Sequence, residues 1–467
     1  MDIELFATPG LGDTSYLIAS GGEAALVDPQ RDAWRFLAVA ADRGWRVSHV
    51  LETHVHNDYL SGALEARAAT GATIVAPGRG GYAFAHRGAD EGSDVLIGDL
   101  RLTAMATPGH TPEHLAWAVR PVQASREDPP EAVFSGGSLL VGSAGRTDLL
   151  GDDRTGELTR LQASSLRRLA TLPPAVRILP THGAGSFCSA GPAPARPTTS
   201  VGIELRANTA LEAAGGARFQ DVLVGNLGRY PAYYAHMAPL NRSGPGLLGG
   251  TPAPLALDPD AFSGAIAGGI PVVDARPRTD FAAGHLPGAL NIELDDSFAA
   301  YVGWLLPFDA PLLLVVPQPT PATAVEAATE LLRIGYEHIT GYLAGGVEAW
   351  GDAGRPLRTY PTTGIEDVLE EVAGGARPDF LDVRQAVEWR ADGLIPGSRT
   401  IFVADLPACL AELPRDHEIT VVCKGGSRAS IAASILDAAG IPVRLVARGG
   451  ATGWAARFES LESASRG

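Results

Sequence analysis

With only three cysteines (Cys188, Cys409 and Cys423) in 467 residues, the sequence has too few thiols for a disulfide framework, which points to a reducing compartment. Nowhere does it reach the ~18 consecutive apolar residues of a membrane span. The opening Met1-Asp2-Ile3-Glu4 is acidic and no basic stretch leads into an apolar one, so the expectation is a cytoplasmic protein without a leader. Positive charge is also short. Lys and Arg number 37 against 53 Asp and Glu, a net charge of −16, which argues against nucleic acid or an anionic membrane as partner. The remainder is ordinary globular composition, 45% apolar and 19% charged. At ~100–200 residues per domain, the length predicts about three domains.

The first part of the chain is organised around Leu51-Glu52-Thr53-His54-Val55-His56-Asn57-Asp58-Tyr59-Leu60-Ser61-Gly62. Histidines at i and i+2 in extended backbone project the same way, and Asp58 follows two residues later. Residues 47–51 read as a short buried strand and 61–69 as a helix entered through a polar residue. Upstream, 3–27 read as a β-meander closed by Val27-Asp28-Pro29, and 34–43 as a helix. Downstream come a strand over 73–76, an irregular Gly-rich loop over 77–94, and a strand over 100–106. That strand ends in Thr107-Pro108-Gly109-His110-Thr111-Pro112-Glu113-His114, a tight turn with His110 at its tip. A strand over 132–135 runs on to Gly145-Arg146-Thr147-Asp148. A helix over 157–172 puts Leu158, Leu161, Leu166 and Leu169 on one face, and a strand over 177–179 stops at Pro180-Thr181-His182-Gly183. Each of these polar residues alone is an ordinary core or capping group. At successive strand ends, His54/His56/Asp58, His110, Asp148 and His182 together form a metal-site pattern.

This order, H-x-H-x-D, then T-P-G-H, a lone Asp after a Gly-rich loop and a late His, resembles the metallo-β-lactamase fold. More narrowly, Gly145-Arg146-Thr147-Asp148 and Val224-Gly225-Asn226-Leu227 resemble its persulfide dioxygenase branch, over about the first 245 residues. The resemblance implies one Fe(II) per chain held by His54, His110 and Asp148, with His56, Asp58 and His182 as outer groups that orient ligands or hydrogen-bond substrate. A two-His, one-carboxylate face leaves open positions on iron, which an oxygenase needs for O₂ and substrate together. Two-zinc relatives such as glyoxalase II carry H-x-H-x-D-H. Here the last position is Tyr59, whose phenol, with an ordinary pKa of ~10, is a poor ligand at neutral pH. Tyr59 reads equally as a pocket hydrogen-bond donor or a packing residue. His49, His86 and His114 read as structural.

Residues 238–254, rich in Pro, Gly and Leu, read as a linker. Pro271-Val272-Val273-Asp274-Ala275-Arg276, then Phe281 and Gly284-His285-Leu286-Pro287-Gly288, resemble a rhodanese domain. Where its catalytic cysteine belongs, after a strand over 312–316, stands Pro317-Gln318-Pro319-Thr320-Pro321. No nucleophile is present there, and the prolines remove backbone donors, so this domain is expected to be inert in sulfur transfer and to serve as spacer or interface. After about a hundred residues the same signals return, Phe380-Leu381-Asp382-Val383-Arg384, Glu388-Trp389 and Gly393-Leu394-Ile395-Pro396-Gly397, which argues duplication. Here the strand over 419–422 does end in cysteine: Cys423-Lys424-Gly425-Gly426-Ser427-Arg428. A strand, a Gly-rich loop and a helix start surround the sulfur with backbone N–H groups, and with Lys424 and Arg428 nearby they favour a nucleophilic thiolate. The C-x-x-G-x-R loop resembles active rhodanese sulfurtransferases. Cys188 and Cys409 read as structural.

The expected architecture is α/β and α+β multidomain: an αββα metallo-β-lactamase sandwich (1–245), a rhodanese-like domain without its cysteine (246–357), and a rhodanese domain with active Cys423 (358–467). The expected activity is oxidation of a low-molecular-weight thiol persulfide by O₂ to sulfite. Cys423 either makes persulfide from thiosulfate or joins sulfite to sulfane sulfur to give thiosulfate. Small molecules, not nucleic acid or membrane, are the expected partners, and homo-oligomerisation is left open. Two alternatives are a zinc-dependent thioester hydrolase of glyoxalase II type and a sulfane-sulfur carrier that oxidises nothing.

Overall fold

Residues 15–19 are buried without a break, although a strand turns alternate side chains to opposite faces, because both faces of their sheet are covered. In the computed structural model of the chain, which describes residues 1–183, 185–189, 196–225 and 227–465, Tyr16 and Ile18 enter a core between two sheets. Leu17 and Ala19 instead meet Phe36 and Ala40 of helix Trp34–Asp42 and Ala63 and Ala66 of helix Ala63–Thr70. The chain divides into two compact units, Met1–Thr251 with Leu332–Gly335, and Pro252–Leu331 with Tyr336–Gly467.

The first unit is an αββα sandwich. One six-stranded sheet runs, in spatial order, Asp2–Thr8, Asp13–Ser20, Glu23–Val27, Arg46–Leu51, Thr73–Pro77, Arg87–Ala89. The other runs Thr199–Ser200, Arg177–Pro180, Ala132–Gly136, Leu115–Pro121, Leu100–Ala106, Asp94–Ile97. Val27, Leu51 and Val75 of the first face Leu102, Trp117, Phe134 and Leu179 of the second. On the outer face of the second sheet, Ala116, Ala118 and Ile178 are covered by Leu166 and Leu169 of helix Asp152–Ala170.

Three features differ from the sequence expectations. The irregular loop over 77–94 contains a strand, Arg87–Ala89, paired parallel with Thr73–Pro77, and the strand Leu115–Pro121 was not anticipated. Leu115–Pro121 is covered on both faces and shows no polar–apolar alternation. The linker begins later than composition suggests, because helix Tyr234–Ser243 continues through Pro239 with Met237, Ala238 and Asn241 buried. Tertiary burial outweighs the proline signal there.

The second unit holds two five-stranded parallel sheets of one topology. The first is ordered Ala256–Leu257, Ile339–Leu343, Leu312–Val315, Val272–Asp274, Leu290–Asn291, and the second Thr362–Gly364, Val443–Arg448, Ile419–Val422, Asp379–Asp382, Arg399–Thr400. The repeat extends to single atoms. Arg276 Nη2 donates to Asp274 at 2.7 Å and to the Gly284 carbonyl at 2.8 Å, and Arg384 Nη2 donates to Asp382 at 2.7 Å and to the Gly393 carbonyl at 2.7 Å. Helix Ser427–Ala438 of the last domain packs on the middle one: buried His285 faces Asp437 at 3.1 Å, and the Asn291 N–H donates to Ser434 Oγ at 3.1 Å. Among the described residues, no helix is long and apolar enough to cross a membrane.

Candidate functional site

The histidine segment leaves strand Arg46–Leu51 and is pinned before the first histidine. Thr53 gives its N–H to Asp28 Oδ1 and its hydroxyl to Asp28 Oδ2, both at 2.7 Å. Having spent its proton, the Thr53 oxygen accepts from His54 Nδ1, 2.8 Å away, which leaves Nε2 of His54 as a bare lone pair. His110 is set by the same logic: its Nδ1–H donates to the Arg146 carbonyl at 2.8 Å, so Nε2 is again the lone pair. Glycines make room for that ring and for Gln162 beside it. An added Cβ at Gly137 or Gly145 would lie 2.3 Å or 2.9 Å from it, and one at Gly109 would lie 2.4 Å from Gln162, whose Oε1 accepts the His110 backbone N–H at 3.0 Å.

His182 sits beside them, its Nε2 3.2 Å from Nε2 of His54, while its Nδ1 lies 2.8 Å from Asp13 and 3.1 Å from Asp58. Burial pulls the His182 pKa down, but the Asp58 and Asp13 carboxylates win and push it up to about 10. Burial, followed by the charges of neighbouring histidines, takes the other two the opposite way: His54 well below the ordinary value and His110 down to about 3. Neutral His54 therefore accepts a hydrogen bond from cationic His182, and of the three imidazoles only His110 is left with a nitrogen, Nε2, that has no partner. A metal cation answers that orphaned lone pair. Ligand atoms of His54, His110 and His182 lie within 4.8 Å of one another, and so do those of Asp28, His54 and His56, and of His56, Asp58 and His182.

Asp148 does not join these groups. Its two oxygens each take an N–H from Arg146 at 2.7 Å, and the Arg146 guanidinium also lies 4.6 Å over the Tyr230 ring. His56 is buried beside the group, with Nε2 3.0 Å from Glu52 and 3.1 Å from the Tyr59 hydroxyl. Burial opposes its charge, yet Asp28 and Glu52 hold its pKa well above the ordinary value. Tyr59 stacks on His56 and donates to the Asp28 carbonyl at 3.2 Å. Burial, then the Asp28 and Glu52 carboxylates, push the Tyr59 phenol well up. His114 is satisfied on both nitrogens, by Thr107 at 2.9 Å and the Gly137 N–H at 2.9 Å. Cys188 is buried 3.9 Å from the Tyr234 hydroxyl, with its pKa pushed up by burial. Asn226, from the Val224–Leu227 stretch, lies outside the described residues.

Several residues that build this centre were not singled out as site residues by sequence. Asp28 grips Thr53 from a left-handed backbone at φ 49°, and its place between an apolar strand and Pro29 was the one available signal. Asp13 left none. Asn241, counted in the linker, donates to the carbonyls of His56 at 3.0 Å and Tyr59 at 2.8 Å and accepts the Ser61 N–H at 2.9 Å. Asn241→Ala is expected to weaken metal binding about tenfold to a hundredfold, as loss of an outer support does, measured by competition with a chelator. Unchanged affinity would mean that the strand ends alone hold the segment.

In the last domain, strand Ile419–Val422 delivers buried Cys423 into the loop before helix Ser427–Ala438, and the Gly426 N–H donates to its Sγ at 3.0 Å. Lys424, the only lysine in the sequence, is exposed. Arg428 is taken by Glu388, with one of its hydrogen bonds at 2.7 Å, so it braces the loop and is not a free cation. In the middle domain the Pro317–Pro321 stretch brings no thiol to the equivalent strand end.

The profile described as the metallo-beta-lactamase superfamily matches residues 8–182, and that described as the rhodanese-like domain matches twice, at 258–353 and 366–457. A probable metallo-hydrolase of Burkholderia pseudomallei is 33% identical over 218 residues, 39% of this chain and 72% of that protein. A hydroxyacylglutathione hydrolase of Polaromonas sp. is 34% identical over 173 residues, 36% of this chain and 61% of that relative. The crystal structure of a metallo-beta-lactamase from Staphylococcus aureus subsp. aureus COL covers 73% of this chain and 99% of its own at 28% identity, with a TM-score of 0.66. With His54 and His110 turning Nε2 inward at the ends of a sandwich's strands and a duplicated parallel α/β unit following in the sequence, the chain belongs to the metallo-beta-lactamase superfamily and carries two rhodanese-like domains after the metallo-beta-lactamase domain.

Proposed function

We propose that the first domain is a one-iron dioxygenase that oxidises a low-molecular-weight thiol persulfide to sulfite, and that Cys423 transfers sulfane sulfur in the last domain. The observation that carries this reading is the placement of Tyr59. A two-zinc hydrolase with H-x-H-x-D-H uses that position for its second metal. Here the phenol points into the Asp28–His56 network, its pKa is pushed well up, and a neutral phenol is a poor ligand. One metal with two neutral histidines and a carboxylate keeps positions open, which suits oxygenase chemistry more than hydrolysis.

The proposed ligands are His54, His110 and Asp148. When bound, iron supplies the open positions at which O₂ and the outer sulfur of the persulfide meet. The chain's own residues do the rest. Asp28 through Thr53, and the Arg146 carbonyl, fix the two imidazoles with Nε2 inward. His182, protonated between Asp13 and Asp58, offers a positive charge and an N–H to an anionic sulfur species beside it, in a buried place where such a contact is strong. In the overall reaction the outer sulfur gains two oxygens from O₂ and one from water. The S–S bond breaks, the thiol leaves with a proton, and sulfite and two protons are released. At Cys423 the thiolate attacks the outer sulfur of thiosulfate and sulfite departs with the S–S electron pair, leaving a cysteine persulfide; run backwards with sulfite, the same step makes thiosulfate.

A second reading is supported by the His56, Asp58 and His182 group, which offers another metal place, and by the hydroxyacylglutathione hydrolase relative: a two-metal thioester hydrolase. Anaerobic loading with Fe(II), followed by addition of a thiol persulfide with oxygen uptake and sulfite both followed, decides between them. Uptake of one O₂ per sulfite with one iron per chain is expected. Silence across several thiol persulfides with iron bound, together with thioester cleavage by protein holding two metals, would establish the hydrolase.

A further inference from the structure

The N–H that reaches the Cys423 sulfur belongs to the peptide joining Gly425 and Gly426. A trans peptide is planar, so its C=O and N–H point in opposite directions. With the Gly426 N–H turned onto Sγ, the Gly425 carbonyl must turn away from it. That carbonyl has a partner from another domain: Arg278 Nη1 donates to it at 2.6 Å, and Arg278 Nη2 donates to Ser427 Oγ at 3.0 Å. Arg278 begins the helix Arg278–Ala283 of the cysteine-less domain and is itself fixed by Glu293, which accepts its backbone N–H at 2.8 Å and faces its guanidinium at 2.5 Å.

The fit is close on both sides. Gly426 sits at φ 106°, and a Cβ there would lie 2.0 Å from Arg278 Nη1 and 2.6 Å from the Ala447 carbonyl. A peptide between two glycines has the least intrinsic resistance to rotating about its flanking bonds, so its direction has to be imposed from outside. Arg278 is placed to impose it, with a forked donor that spans the loop carbonyl and the hydroxyl at the helix start.

We propose that the cysteine-less domain supplies a positioning residue for the sulfur chemistry of its neighbour: Arg278 holds the Gly425 carbonyl outward and so keeps the Gly426 N–H on the sulfur of Cys423. This deepens the sulfur-transfer reading and rests on it for its purpose, though not for its test. It also gives the domain that lost its own catalytic loop at Pro317–Pro321 a role in which a nucleophile is not required. The anion served is the Cys423 thiolate and, after transfer, its persulfide, both of which a backbone N–H stabilises.

The test uses the full chain with Arg278→Met and Arg278→Lys, following alkylation of Cys423 by iodoacetamide against pH, read on the Cys423 peptide by mass spectrometry. Both variants are expected to slow alkylation at neutral pH about tenfold, to displace its pH profile upward, and to cut thiosulfate turnover by a similar factor. Lysine keeps the charge but cannot span both acceptors, so an Arg278→Lys protein that alkylates like wild type would show that charge alone acts and would overturn the proposal. An unaffected Arg278→Met would overturn it as well. Should Arg278→Met fail to fold, Glu293→Gln, which loosens Arg278 without touching the loop, must slow alkylation in the same direction, and an unchanged rate there refutes the idea. If wild-type protein transfers no sulfur from thiosulfate, the sulfur-transfer reading has failed, while alkylation still reads the role of Arg278.

Discussion

Replacing His110 by alanine is expected to strip the metal from the first domain, lowering bound iron from about one per chain to near none and affinity by more than about a hundredfold, since loss of an outer support alone costs up to that much. His110 is the sharpest choice because its Nε2 is the one imidazole lone pair in the His54, His110 and His182 group left without a donor, so a metal accounts for it more directly than for its neighbours. The substitution leaves the Arg146 carbonyl without its N–H and a hole beside Gly137 and Gly145. Together these cost on the order of 2–5 kcal/mol, less than the ~5–15 kcal/mol that keeps a domain folded. Thermal unfolding should therefore remain cooperative while iron, by elemental analysis, and oxygen uptake both vanish. Full retention of iron would remove His110 from the ligand set.

The third ligand is decided by the same assay on two further variants. Asp148→Asn is expected to lose iron, and His182→Asn to keep iron but turn over slowly. As placed, Asp148 is held by Arg146, while His182 already stands 3.2 Å from His54. The case for Asp148 is chemical: two histidines and a carboxylate leave positions open on iron for O₂ and substrate, while His182 Nδ1 is engaged by Asp13 at 2.8 Å and Asp58 at 3.1 Å. The reverse outcome, iron lost with His182 and kept with Asp148, would make the centre a three-histidine site.

The strand ends of the first domain were legible because chemistry is written there in residue types: histidines after short apolar runs, with Pro and Gly fixing the turns. The duplication was legible for a similar reason, since an Asp, an Arg two residues on and a glycine carbonyl make one recurring buried unit. What stayed hidden was whatever acts through position alone. Asn241 carries no periodic signal and sits in a proline-bearing stretch that reads as linker, yet it ties down three backbone groups of the histidine segment. Asp13 shows itself only when a strand from the start of the chain comes to lie beside His182, as the bridge between them records. Leu115–Pro121 was missed because a strand covered on both faces loses the alternation that marks one. Arg278 was invisible as a functional residue because its partner is a carbonyl about a hundred and fifty residues away.

Cys423→Ser is expected to reduce sulfur transfer from thiosulfate by more than about a thousandfold, because the hydroxyl does not ionise near neutral pH and the covalent persulfide cannot form. The Gly426 N–H, the Arg428–Glu388 brace and the helix start survive the change, so the fold should be unaltered. Oxygen uptake on a preformed thiol persulfide should stay within about twofold of wild type, since no step proposed for the first domain uses this sulfur. The informative experiment offers thiosulfate and a low-molecular-weight thiol together as the only sulfur source. Wild-type protein then has to make its own persulfide before any can be oxidised, and oxygen uptake reads both domains in series. Under those conditions Cys423→Ser should consume no oxygen, and adding preformed persulfide should restore uptake at once. If the variant also fails on preformed persulfide, the two chemistries are not separate and the division of labour between the domains is wrong. If wild-type protein takes up no oxygen from thiosulfate but releases thiosulfate when given persulfide and sulfite, Cys423 works downstream of the iron, consuming the sulfite that the first domain makes.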